Sequence, residues 1–182
     1  EQSFNGATET VQFDRDLMEK LKAISLENNA TLFMTLLSAY SVLLSRYSGQ
    51  KDVVIGSPVA NRDRTKIENV IGCFINNLAL RTRLENNPQF DALLQQTRDN
   101  TLQCYGHQDL PFEYLVDALN TERSLSYSPV FQVMFVLQNA PKAQGDMQGL
   151  QIEAMDFNSA QVTSRYDMTL ALTESENGLY GK

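Results

Sequence analysis

The 182 residues suit one domain or a large piece of one, and 42% hydrophobic against 20% charged residues gives enough apolar matter for a core. A net charge of −7 argues against general nucleic-acid binding, and the longest apolar runs are far too short to cross a bilayer. Two cysteines, Cys73 and Cys104, make neither a disulfide framework nor a zinc spacing, which fits a reduced, cytoplasmic setting.

Thr8 to Phe13 alternates and predicts a strand. Asp14 follows as the cap of a first helix that presents Leu17, Leu21 and Ile24 on one face and stops at Asn28-Asn29. Thr31 caps a second helix, closed by Gly49. Its wide apolar stripe runs from Leu32 and Phe33 to Leu43, Leu44 and Tyr47. Around its end, Arg46, Lys51, Arg62, Arg64 and Lys66 face only Asp52 and Asp63. That stretch reads either as a surface for an acidic partner or phosphate, or as a solvated loop.

Asp52 to Ile55 predicts a short buried strand broken by Gly56 and Pro58, and the later part of Ile71 to Arg81 a second one with Asn76 and Asn77 set inside it. Asn87-Pro88 opens a third helix, with Pro88 at its first position and Phe90, Leu93, Leu94, Thr97 and Thr101 inward. Pro111 starts a short fourth helix, capped by Asp109. Val130 to Leu137 predicts a strand covered on both faces. Asn139 to Gly149 reads as a loop, and Leu150 to Phe157 as a strand whose phase slips near Met155, as a bulge would cause. Tyr166 to Leu172 alternates, and Asn177-Gly178 predicts a hairpin. Its returning strand is cut short by Lys182, so the chain is expected to be a fragment with an open strand edge that promotes self-association.

Chemistry is sparse. The one histidine, His107, could pair with Cys104 as base and nucleophile, but Cys104 falls in the last turn of the third helix, where free cysteines behave as buried hydrophobes. His107 and Gln108 are expected to tie the helix corner to nearby backbone. No phosphate-binding glycine loop, metal-ligand cluster or Gly-x-Ser-x-Gly elbow occurs. Asn76 and Asn77 read either as satisfied strand-end amides or as groups that face a ligand or a lobe junction. Arg81 and Arg123 are expected to pair with acids such as Glu113 or Asp117.

Three ordered segments carry a resemblance. Ile71-Gly72-Cys73-Phe74-Ile75-Asn76-Asn77 resembles the fifth core motif of the condensation domains of nonribosomal peptide synthetases. His107-Gln108-Asp109-Leu110-Pro111-Phe112-Glu113 matches the sixth at every fixed position, and the segment from Arg123 to Phe131 resembles the seventh through Arg123, Ser126, Pro129 and Phe131. Asn77, Ser124 and Ser128 depart from the family's usual Thr, Asp and Asn. The family's catalytic His-His-x-x-x-Asp-Gly is not in these 182 residues.

The resemblance implies an α/β fold, a chloramphenicol-acetyltransferase-like lobe with a mixed sheet packed with helices. It further implies that the chain is the C-terminal lobe of such a domain, truncated at both ends and inactive alone. Its partners would be the N-terminal lobe, upstream and downstream peptidyl carrier domains and an adjacent adenylation domain, with no nucleic acid or membrane. The implied reaction is amide formation between two thioesters on phosphopantetheine arms delivered by the carriers, with no cofactor bound directly and no metal. Asn76 and Asn77 would lie at the tunnel or lobe junction, while the residues of the sixth and seventh motifs would be structural. Asn139 to Gly149 would form a latch to the other lobe. The alternatives are the epimerisation or cyclisation subtype of the same fold, or a non-catalytic carrier-docking module.

Overall fold

A computed structural model describes residues 3–62, 70–121, 124–138 and 162–182. Its main sheet has six strands: β2 (Val11–Asp14), β3 (Asp52–Val59), β4 (Asn76–Arg83), β5 (Val133–Gln138), β7 (Met168–Ser175) and β8 (Gly178–Gly181). Their spatial order is β2-β8-β7-β5-β3-β4, with β3, β5 and β7 parallel and the other pairings antiparallel. Two short strands, β1 (Asn5–Gly6) and β6 (Val162–Thr163), form a separate ribbon. The mixed sheet and its helices give the expected α/β architecture.

The helices are α1 (Arg15–Glu27), α2 (Leu32–Ser48), α3 (Phe90–Gly106) and α4 (Phe112–Leu119). Asp14 caps α1 by accepting from the Leu17 N–H at 2.8 Å, Thr31 caps α2, and Gly49 closes α2 at φ 73°, in the left-handed region where a Cβ is costly. Period-two alternation divides the strands cleanly. Val53, Ile55, Leu78 and Leu80 share one face and meet Leu36, Leu37 and Tyr40 of α2 in the core, with Phe135, Leu172 and Leu179 from neighbouring strands. Val54, Gly56 and Pro58, with Asn77, Ala79 and Arg81 opposite them, fall on the other face.

Several expectations are corrected. In α1 Met18 and Ser25 are buried and Leu21 packs against the core as expected, while Leu17 is exposed; the Ser25 hydroxyl meets Thr35 of α2 at 2.6 Å. Leu43 and Tyr47 of α2 and Phe90 of α3 are exposed, so the inner stripes are narrower than the apolar patterns. β3 runs through Gly56 and Pro58 to Val59, because Pro58 turns its missing N–H away from β4. α3 begins at Phe90 rather than at Pro88. The hairpin forms, with Glu176 and Asn177 as its loop and Gly178 opening β8 at φ 130°. β8 is paired on both sides, by β7 and β2, so the expected open edge there does not exist. The loop Asn139 to Gly149 and the segment Leu150 to Phe157 lie outside the described residues.

Candidate functional site

Asn76 opens β4, and its carboxamide reaches across to the corner between α3 and α4. Its Nδ2 donates to the carbonyls of Gln108 and Leu110, both at 2.7 Å. Its Oδ1 accepts from the N–H of Phe112 at 3.1 Å and from that of Asn77 at 2.9 Å. Pro111 occupies the cap position of α4 and supplies no side-chain bond. The expected cap by Asp109 is therefore replaced by Asn76, from a strand distant in sequence.

His107 ends α3 with its N–H on the Cys104 carbonyl, and its own carbonyl accepts from Leu110. The corner is thus tied by main-chain bonds, whereas the side chains of His107 and Gln108, expected from the sequence to make these ties, form no hydrogen bond among the described residues. No Cys104–His107 dyad forms: the Cys104 thiol turns to the Ala79 carbonyl at 4.0 Å, and burial pushes it up, away from the thiolate form. Glu113 lies in the first turn of α4, where the helix dipole favours an acid.

From the corner the contacts continue into the seventh-motif segment. The Phe112 ring stands 5.1 Å from that of Phe131, which is 1% exposed and 5.7 Å from Tyr166. Gly56 lies directly beneath: a Cβ there would come within 2.2 Å of the Phe131 ring. Phe131 is aimed by a tight turn in which its N–H donates to the Pro129 carbonyl at 2.8 Å, with Val130 at φ 69°. A β-branched residue there is strained by about 1–3 kcal/mol. Upstream, the Ser126 N–H donates to the Ser124 hydroxyl at 3.0 Å. The segments around Gly56, Asn76, Phe112 and Phe131 form one connected cluster.

Beside the cluster runs a groove of about 720 Å³ between α3, the outer edge of β4 and α4. Leu110, Phe112 and Leu115 form its apolar bank; Gln96, Asn100, Gln103 and His107 form the polar one, with Asn77 and Ala79 between. The Leu84 N–H donates to the Lys51 carbonyl, and the antiparallel alternation then directs the main-chain groups of Ala79, Arg81 and Arg83 outward. Three side chains of α3, at four-residue spacing, meet that edge. Gln96 accepts from the Arg83 N–H at 3.1 Å, Asn100 donates to the Arg81 carbonyl at 3.2 Å, and Cys104 lies against Ala79. The sequence reading missed this row; its signal was the 96, 100, 104 periodicity.

Arg81 does not pair with Glu113 or Asp117. It makes a two-pronged bond to Asp52, at 2.8 and 2.5 Å, which holds that carboxyl below the usual carboxylate range. Arg123 lies outside the described residues, as do Arg64 and Lys66 of the basic stretch. Arg62 donates to the Val70 and Gly72 carbonyls, each at 2.8 Å, and its guanidinium sits 4.6 Å from the Phe74 ring centroid. It fastens the segment that leads into β4. Among the described residues no group of His, Cys, Asp and Glu could hold a metal ion.

The Condensation domain family model matches residues 1–182. One of the linear gramicidin synthase proteins of Brevibacillus parabrevis is 51% identical over 179 residues, covering 98% of this chain and 4% of that protein. The chain therefore spans a small fraction of this curated relative. The condensation domain of the Monacolin K polyketide synthase superposes with a TM-score of 0.77 at 22% identity, over 95% of this chain and 40% of that one. A four-domain nonribosomal peptide synthetase solved with AMP and glycine gives a TM-score of 0.85 at 24% identity, over 99% of this chain and 15% of that one.

Proposed function

The chain belongs to the condensation-domain family, and from that premise we propose that it is one lobe of a domain that forms amide bonds on a nonribosomal peptide synthetase. The observation that carries the reading is the 51% identity to a linear gramicidin synthase across 98% of the chain. The acceptor's amine attacks the donor's thioester carbonyl; a C–N bond forms, the C–S bond breaks, and the proton lost by the amine ends on the leaving sulfur, which departs as the free thiol. The two-histidine signature that would assist the amine is not among these residues, which contain one histidine. This lobe supplies a wall of the reaction channel and surface for carrier domains, with Asn76 and Asn77 at the channel or lobe junction. Both thioesters arrive on phosphopantetheine arms, and holding them in line lowers the barrier by lessening the entropy to be lost. The other lobe, two carrier domains and an adenylation domain are its partners, in the cytoplasm.

The test uses the complete domain with one carrier loaded with a donor aminoacyl group and the other with an acceptor. Mass spectrometry should find the dipeptidyl thioester on the acceptor carrier. Inversion of the donor stereocentre without an amide would favour the epimerisation subtype, and a heterocyclic product the cyclisation subtype. Carrier binding without either product would reduce the domain to a docking module.

A further inference from the structure

We infer that Asn76 is a positioning residue: it is the cap of α4 supplied from β4, and through it the strand sets the Leu110–Phe112 bank of the groove. An eight-residue helix is marginal without a cap, since its first N–H groups have no partner within the helix. Pro111 has no side-chain oxygen to give. The cap instead arrives from 36 residues away, when Asn76 accepts the Phe112 N–H.

The stoichiometry of the amide is complete. Its Nδ2 has two hydrogens and meets two carbonyls; its Oδ1 has two lone pairs and meets two N–H groups. Nothing of the side chain is left to hold a ligand. Threonine or serine lacks the second donor, and aspartate would set an oxygen against the Gln108 and Leu110 carbonyls. Asn77 has the opposite character. It lines the groove, and its carboxamide makes no hydrogen bond among the described residues. One asparagine thus holds the wall, and the next one faces the space beside it.

Displacing Asn76 would free the turn that carries Leu110 and would unseat Phe112 from Phe131. The kinetic consequence rests on the amide-forming function proposed above, but the structural one does not. The test is residue-resolved hydrogen exchange on the complete domain, alongside turnover. In the parent protein the Phe112 N–H should exchange at least tenfold more slowly than that of Glu113, although Phe112 is nearer the helix end. Asn76→Ala should abolish that difference and lower turnover together; Asn77→Ala should leave the difference intact. Equal exchange at the two positions in the parent overturns the inference, even where the variant fails to fold. So does an Asn76→Ala protein that loses turnover with Phe112 still protected, which would make Asn76 a substrate-touching group. If the domain forms no amide at all, the exchange comparison still decides the matter.

Discussion

Tyr40 shows how a single residue in this fold sets a measurable pH response. It is 4% exposed, its ring lies 5.9 Å from that of Phe135, and its hydroxyl has no hydrogen-bond partner among the described residues. Burial pushes its pKa up to about 12. An unfolded tyrosine titrates near about 10, so the folded state holds the proton more tightly. The stability this contributes is complete below that lower value and is lost as pH rises through the upper one. Tyr40→Phe should therefore be at least as stable as the parent near neutral pH, since it removes an unsatisfied buried hydroxyl. Its stability should also fall less between pH 10 and pH 12, as measured by urea melts. A variant markedly less stable at pH 7 would show that the hydroxyl has a partner. The burial of Tyr40 was legible in the stripe of α2, but the orphaned hydroxyl was not, because hydrogen-bond satisfaction depends on what other elements bring near.

Among the elements, β4 is an edge strand that the fold protects with side chains rather than with another strand. Gln96 and Asn100 satisfy main-chain groups of Arg83 and Arg81 that would otherwise invite pairing with a second chain. Each such bond contributes about 0.5–1.5 kcal/mol. A Gln96→Ala, Asn100→Ala double variant should lose about 1–3 kcal/mol in a urea melt. It should also scatter as a larger particle than the parent at equal concentration. Unchanged stability and particle size would show that the edge needs no such cover. Local signals predicted the elements well where a cap or a glycine marks a boundary, as at Asp14, Thr31 and Gly49. They failed where tertiary partners overrule composition. Gly56 and Pro58 read as breakers, yet Gly56 continues β3 because the Phe131 ring requires the missing Cβ, and Pro58 lies where its N–H is not needed by β4. Likewise Asp109 looked like the cap of α4, since Asn76 is too distant in sequence for any local rule to find.

For the whole molecule, the order β2-β8-β7-β5-β3-β4 removes the open edge expected after Gly178. Pairing of β8 with β2 joins the two ends of the chain, a contact that no periodicity could reveal. Self-association therefore cannot run through β7 or β8, and its route would be exposed apolar surface such as Tyr114 and Leu119 of α4. The family and its motifs were legible in order along the sequence. Their convergence, Asn76 on the corner and Phe112 on Phe131 over Gly56, was not, because each link joins separate segments. In the function proposed above, that convergence shapes one wall of the reaction channel, and the two-histidine chemistry comes from outside these 182 residues. The most direct measurement supplies this chain alone with donor and acceptor thioesters on their carriers and follows the dipeptidyl thioester by mass spectrometry. The account predicts no product above the uncatalysed background. Chain-dependent product would contradict it and would make His107, on the polar bank of the groove, the first group to test.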